Sequence, residues 1–211
     1  MSDDLPDLPP WAFLKEDPRD DMAFYAEARL VTHIDDGAIA ALTEFYRQVL
    51  PAGGVIADLM SSCVSHLPDE VEYLEVVGHG MNAEELAANP RLTGSFLADF
   101  NLDPVLAPLP DESLDAATIC VGVQYLQKPI PVFREIARAL KPGAPLVISF
   151  SNRCFPSKAI ALWLRLGTQG HAQLVQRYME EAGFEAITAH LLADGSRCDP
   201  LVAMVGHAPP R

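Results

Sequence analysis

The sequence predicts an α/β fold: a doubly wound, mainly parallel seven-stranded sheet with an antiparallel last strand, plus N-terminal helices. Short apolar runs follow one another after Gly54, they are bounded by Asp, Gly or Pro, and amphipathic segments lie between them. Apolar runs without strict alternation are typical of parallel strands that helices cover on both faces. The alternation of strands with helices is typical of a doubly wound sheet.

The first 50 residues predict a tail and a helical lid. Residues 1–17 contain three prolines and no hydrophobic period, so we expect an extended tail. Residues 18–50 predict two helices. The first starts at Pro18, and the second starts at the N-cap residue Asp35 and stops before Pro51.

Residues 51–211 predict the sheet domain. Five strands are predicted over the apolar runs 55–59, 74–77, 95–98, 116–121 and 146–150. Helices are predicted over 83–88, with Asn82 and Glu85 as a capping box, and over 131–140, 157–166 and 171–182. The last two strands, near 185–192 and 201–206, are joined without a helix and predict an antiparallel hairpin.

Composition restricts the partners. The chain has 29 acidic and 15 basic residues and a formal charge of −14, which repels phosphate backbones, so no nucleic acid partner is expected. The four cysteines are widely spaced, which argues against a zinc site and against a disulfide framework. No apolar run reaches the ~18 residues of a membrane span. We expect a cytoplasmic monomer or homodimer with no membrane partner and no metal.

Polar or flexible residues follow five of the predicted strands. In an open parallel sheet, ligands bind beyond the carboxyl ends of the strands. The segments at these ends are 58–62, 78–82, 99–100, 122–125 and 151–153. Five such ends together predict one binding site.

The segment LPDESLDAATICVGVQYLQKPIPVFREIARALKPGAPLVISF (109–150) is the most specific motif of the chain. It resembles the entry to strand four, the following helix and the L-K-P-G-G turn of the class I, Rossmann-like S-adenosylmethionine-dependent methyltransferases, especially their type 11 group. Here the turn is Leu140 to Ala144. The resemblance extends over residues ~50–155 and implies S-adenosylmethionine as the cofactor.

The resemblance also implies two sets of site residues. The cofactor-binding set is Asp58, Met60, Ser61, Gly80, Met81, Asn82, Asp99, Phe100, Gly122 and Val123. The substrate-facing set is Tyr25, Arg29, His33, Gln124, Tyr125, Asn152 and Arg153. The residues on the first helix equally suit a solvated face, and Arg153 suits either a clamp for an anionic substrate or a structural ion pair.

Two departures from the family pattern stand out. The family's first loop is D-x-G-x-G-x-G, whereas residues 58–65 contain no glycine. Gly80 stands where the family has an acid for the ribose hydroxyls. Asn82 offers one oxygen there, although it also suits a helix cap, and His79 is another candidate for the sugar.

Methyl transfer needs donor and acceptor held in line and water excluded, and a base only when the acceptor keeps its proton. We therefore predict no catalytic residue.

The favoured hypothesis is a methyltransferase acting on a small molecule. The alternative is a catalytically inactive, methyltransferase-like ligand-binding or interaction protein. A nicotinamide-dependent dehydrogenase is disfavoured because G-x-G-x-x-G is absent.

Overall fold

The computed structural model describes residues 5–210 and contains one seven-stranded sheet. The strands are β1 (Val55–Leu59), β2 (Glu75–Gly80), β3 (Gly94–Leu97), β4 (Ala116–Cys120), β5 (Pro145–Ser151), β6 (Glu185–Ala193) and β7 (Leu201–His207). Their order is β3-β2-β1-β4-β5-β7-β6. Only β7 runs in the direction opposite to the other six strands. The predicted fold class is confirmed.

Helices cover both faces of this sheet. They are α1 (Asp21–Phe24), α2 (Asp36–Val49), α3 (Ala83–Ala88), α4 (Pro129–Ala139) and α5 (Thr168–Glu181). On one face, α2 buries Leu42 and Tyr46 against Ile56 of β1. On the other, α4 and α5 bury Ile136 and Tyr178 in the main core. Both faces of the central strands are thus buried, which explains their continuous apolar runs.

The predicted N-caps are confirmed. The Asp35 carboxylate accepts a hydrogen bond from the amide of Ala38 at 2.9 Å, and Asn82 Oδ1 accepts from the amides of Glu84 and Glu85. The predicted second bond of the capping box, from the Asn82 backbone amide to the Glu85 carboxylate, is wrong. The Glu85 carboxylate instead accepts hydrogen bonds from the amide of Arg29 and the hydroxyl of Ser62.

The long first helix predicted from Pro18 is wrong, because α1 spans only four residues. The backbone carbonyls and amides that would continue this helix are instead hydrogen-bonded to distant side chains. The amide nitrogen of the Asn82 side chain donates to the carbonyls of Tyr25 and Ala26. The Arg29 amide donates to Glu85.

The helix predicted over 157–166 is also wrong, and a single 3-10 turn (Trp163–Arg165) forms there. The N-terminal segment competes for the same backbone. The amides of Ala161 and Leu162 donate to the carbonyls of Leu14 and Ala12. Long-range bonds thus replace the helical ones.

Residues 5–17 of the predicted tail lie against the domain, while residues 1–4 of that tail and residue 211 of the sheet domain lie outside the described residues. Leu5 and Ala12 are buried, and the ring of Phe13 lies 6.3 Å from that of Tyr178. Within residues 5–210, no helix combines the length and apolar character needed to cross a membrane.

Candidate functional site

A cavity of about 290 Å³ lies at the carboxyl ends of β1, β2 and β4. Its floor comes from the residues that follow these strands: Met60 to Ser62, Gly80 to Asn82, and Cys120 to Gly122. Phe100 and Asn101, just after β3, complete this half. This is the sheet edge at which the sequence predicted a site.

Two other segments form the opposite wall. The N-terminal segment contributes Asp21, Tyr25, Thr32 and His33. The segment after β5 contributes Arg153, Cys154 and Phe155, and Tyr125 lies beside them. The cavity is therefore enclosed between the sheet edge and elements outside the sheet.

The first loop adopts a left-handed conformation without glycine. Met60 has φ +55° and Val121, after the neighbouring strand β4, has φ +43°, a region that side chains disfavour. The Met60 amide donates to Nδ1 of His79 at 3.1 Å, and the Ser61 amide donates to the His79 carbonyl at 2.7 Å. These two bonds to β2 hold the loop. Strained backbone of this kind concentrates at functional sites.

Glycine is required at two other positions of the cavity. A Cβ on Gly122 would lie 2.9 Å from Cβ of Met60, and a Cβ on Gly80 would lie 2.7 Å from the Ser61 carbonyl oxygen. Position 80 therefore could not hold the acid of the family pattern in this structure. The first loop occupies the space that a side chain at this position would need.

Asp58 supports the loop from behind the cavity wall. Its carboxylate accepts hydrogen bonds from Ser61 Oγ at 2.6 Å and from Thr118 Oγ1 at 3.0 Å. The side chain is buried, and this burial raises the pKa of Asp58 to about 6 despite these bonds. Its role in this structure is to fix the loop that lines the cavity.

His79 has both ring nitrogens engaged. Nδ1 accepts from Met60, so the Nε2–H donates to the carbonyl of Ala98 at 3.0 Å, and the ring stacks on Phe100 at 3.8 Å. Burial lowers the pKa of His79 to about 4 and keeps the ring neutral. His79 lines the cavity, but with both ring nitrogens bonded within the chain it has no free nitrogen for a sugar hydroxyl.

Eleven of the predicted site residues line the cavity and six do not. Those that line it are Tyr25, His33, Met60, Ser61, Gly80, Met81, Asn82, Phe100, Gly122, Tyr125 and Arg153. Those that do not are Arg29, Asp58, Asp99, Val123, Gln124 and Asn152.

The six lie behind or beside the wall. Val123 and Gln124 are buried, and the side-chain amide of Gln124 donates to the carbonyl of Val121 at 2.6 Å. Asp99 accepts a hydrogen bond from the Asn101 amide. Asn152 lines a second cavity of about 160 Å³ next to α5.

Arg153 forms the structural ion pair that was one of its two interpretations. Its guanidinium lies 2.8 Å from the carboxylate of Asp199, which also accepts a hydrogen bond from the Asp35 amide. The positive charge at this part of the wall is therefore compensated.

Sequence reasoning missed several lining residues, above all Asp21, Glu85, Asn101 and Phe155. Asp21 accepts a hydrogen bond from Asn101 at 3.0 Å and pairs with the buried Lys15 and with Lys158. Glu85 was predicted from the sequence as part of the capping box of α3, but not as a residue of the site. The others lie in segments without a recognisable pattern, so no sequence signal identified them.

Comparison with known proteins agrees with this geometry. Residues 62–148 match a family model described as a methyltransferase domain. No curated protein matches the chain by sequence.

Among solved structures, the chain is similar to one from the complex between the Haloferax volcanii Trm112 methyltransferase activator and its candidate methyltransferase. That match has a TM-score of 0.64 and 18% identity, and covers 83% of this chain and 91% of the other. It is also similar to an S-adenosylmethionine-dependent methyltransferase from Aquifex aeolicus, with a TM-score of 0.60, 15% identity, and 82% and 91% coverage. A third similar structure is the cyclase SpnF, with a TM-score of 0.62, 16% identity, and 89% and 87% coverage.

At these identities the solved structures establish the fold, and the family model adds the sequence match. Residues 62–148 are thus similar to a methyltransferase domain, and the chain has the class I, Rossmann-like methyltransferase fold with a glycine-free first loop.

Proposed function

We propose that this protein is an S-adenosylmethionine-dependent methyltransferase that acts on a small molecule. The observation that carries the proposal is the cavity at the ends of β1, β2 and β4. Met60 and Met81 line this cavity without filling it. The cavity volume is near the lower end of the ~300–1,000 Å³ usual for ligand sites.

The residues present suit the parts of the cofactor. Phe100 and Leu126 offer an apolar wall for a purine ring. The Ser61 hydroxyl oxygen can accept a hydrogen bond from the ribose in place of the absent acid, whereas the side-chain amide of Asn82 is fully engaged in capping α3 and in bonding the carbonyls of Tyr25 and Ala26. Gly122 lines the cavity with backbone alone, and its missing Cβ lets the Met60 side chain pack against it beside the place for the methionine part.

When bound, the cofactor supplies a methyl group on a sulfonium, whose carbon–sulfur bond breaks with its electron pair left on sulfur. The chain's contribution is to position the acceptor and to exclude water. The enclosing residues Tyr25, His33 and Phe155 suit this task, since they face the sheet edge across the cavity. Of the predicted lid, residues 18–50, we therefore assign only 21–33 to enclosing the cavity, because α2 packs on the sheet.

We further infer that the protein works in the cytoplasm, as a monomer or homodimer. All four cysteines are free, as is usual in a reducing compartment. The formal charge of −14 favours small molecules over nucleic acids as partners.

One observation favours the second candidate, a ligand-binding protein that transfers no methyl group. The Ser61 carbonyl occupies the space where an acid at position 80 would bind the ribose. The similarity to a cyclase is consistent with the fold serving other chemistry.

Calorimetric titration with S-adenosylmethionine and with S-adenosylhomocysteine separates the two candidates. The proposal predicts micromolar affinity and a raised melting temperature, since a ligand present at 100 times its Kd stabilises the native state by about 2.7 kcal/mol. Adenosine alone serves as the control and should bind more weakly. Absence of binding at millimolar cofactor would leave the second candidate.

A further inference from the structure

Aromatic rings form one wall of the cavity, on the side away from β1 and β2. Phe155 lies at their centre: its ring centroid is 6.3 Å from that of Tyr25, 6.1 Å from that of Tyr125 and 5.6 Å from that of His33. All four residues line the cavity. We call them the aromatic wall.

The aromatic wall already holds a cation of the chain. The Arg29 guanidinium lies 5.5 Å from the centroid of Phe155 and 5.8 Å from that of Tyr25. Arg29 is not among the residues that line the cavity, so it contacts these rings from outside. Ring faces attract cations because their quadrupole is negative, and the same rings line the cavity.

A buried carboxylate lies next to the aromatic wall. Glu85 is 7% exposed and lines the cavity, and its oxygens accept hydrogen bonds from a backbone amide and from the Ser62 hydroxyl. Within residues 5–210 it forms no ion pair. A buried carboxylate without a paired cation is costly, and a cationic ligand would compensate its charge.

Two other charged residues line the cavity, and both are ion-paired: Arg153 with Asp199, and Asp21 with Lys15 and Lys158. The Arg29 guanidinium lies on the other side of the rings, outside the cavity lining.

The His33 ring adds no positive charge to this wall. Burial lowers the pKa of His33 below its ordinary 6.5, although Glu85 acts in the opposite direction and Arg29 acts with burial. His66 is the other titratable group facing it, and its own pKa is lowered to about 4.

We propose that the methyl acceptor is a small organic molecule that carries an ammonium group, whose positively charged nitrogen lies between Glu85 and the aromatic wall and is not itself methylated. The methyl group passes to a lone pair on another nucleophilic atom of the same molecule, which releases its proton to solvent, and the electron pair of the broken carbon–sulfur bond stays on the sulfur of the cofactor. This deepens the proposed function and rests on it. The formal charge of −14 would also draw such a cation toward the protein.

Two probes of equal shape test the inference: choline and its neutral isostere 3,3-dimethylbutan-1-ol. Each is titrated calorimetrically into the full chain, with and without saturating S-adenosylhomocysteine. We expect choline to bind about tenfold or more tightly than the isostere, since a cation–π contact and a compensated carboxylate each favour the charged probe. Equal affinities would overturn the inference.

Matched variants locate the effect. Glu85→Gln should remove most of the preference for choline, whereas Glu84→Gln, on the exposed neighbour, should keep it. Phe155→Leu should weaken choline binding, whereas Phe13→Leu, which lies outside the cavity, should not. A preference unchanged in both Glu85→Gln and Phe155→Leu contradicts the inference.

Because choline binding is also measured without S-adenosylhomocysteine, failure of this inference is distinguishable from failure of the proposed function. Cofactor binding with equal probe affinities would reject the ammonium acceptor alone. A preference for choline without cofactor binding would reject the methyltransferase.

Discussion

The backbone amide of Met60 donates a hydrogen bond to the Nδ1 atom of His79 across 3.1 Å. Through this bond, a neutral imidazole on β2 holds the first loop, while its other nitrogen is bonded to the segment after β3. In the family pattern glycines give this loop its shape, whereas here a buried histidine and a left-handed methionine do so.

Replacing His79 should therefore loosen the loop. In His79→Ala the Met60 amide and the Ala98 carbonyl lose their partners, and each unsatisfied buried group costs about 1–3 kcal/mol. Urea denaturation should show lower stability, and calorimetry should show weaker cofactor binding. His207→Ala, at the end of β7 beside the start of β5 and away from the cavity, is the control and should change neither. Cofactor affinity equal to that of the wild type in His79→Ala would contradict this role.

Stability should fall as the pH drops from 6.5 to 4. The pKa values of His79 and His66 are lowered by burial to about 4, so between pH 6.5 and 4 the unfolded chain binds protons that the native one does not. Each histidine lowers the free energy of unfolding by up to about 3 kcal/mol between pH 6.5 and pH 4. The raised pKa of Asp58, about 6, acts in the opposite direction, because the native chain then binds a proton that the unfolded one does not. Its effect offsets about one of the two histidine contributions.

The net expectation is a loss of about 3 kcal/mol, measurable by urea denaturation at pH 7 and pH 4.5. A His66→Phe variant should show a shallower dependence. Stability that stays constant or rises on acidification would contradict the assigned neutral histidines.

Gly122→Ala should impair ligand binding. The added Cβ would lie 2.9 Å from Met60 Cβ, so either Met60 moves into the cavity or the end of β4 shifts. We expect at least tenfold weaker cofactor binding by calorimetry with an unchanged far-UV circular dichroism spectrum. The matched control is Gly94→Ala, where no atom lies within 4 Å of the new Cβ. Undiminished binding in Gly122→Ala would place the ligand elsewhere.

The N-terminal wall should depend on one buried ion cluster. Asp21 pairs with Lys15 and with Lys158, whose side chain is 1% exposed. Asp21→Asn leaves buried ammonium groups without this carboxylate, which costs about 3–5 kcal/mol.

Hydrogen exchange in Asp21→Asn should show faster exchange over residues 15–33 than in the wild type. Asp7→Asn breaks an exposed pair with Arg177 and, because solvent screens that pair, should leave stability nearly unchanged. Exchange that is equal in the two variants would show that the cluster does not hold the wall.

Much of the fold was predictable because burial determines it. The strands are apolar since helices cover both faces of the sheet, and the α2 and α3 caps followed from Asp35 and Asn82. The two wrong helices have a common physical cause. Their backbone groups bond to distant parts of the chain, such as Ala161 to Leu14, and local periodicity carries no information about such partners.

The site was predictable only where topology determines it. Residues such as Ser61 and Gly122 immediately follow strands, and the fold class alone places them at one edge. Asp58 was expected in the cavity on the resemblance but lies behind its wall, bonded to Ser61 and Thr118. Asp21 and Phe155 come from segments outside the sheet, whose positions depend on packing that no motif encodes.

The central claim is that S-adenosylmethionine binds between the first loop and the end of β4. The most direct test records backbone amide chemical shifts by NMR while the cofactor is added to the isotope-labelled chain. The account predicts the largest changes at Ser61, Asn82 and Gly122, and little change at Thr168 beside the second cavity. Changes centred on Thr168, or none at millimolar cofactor, would contradict it.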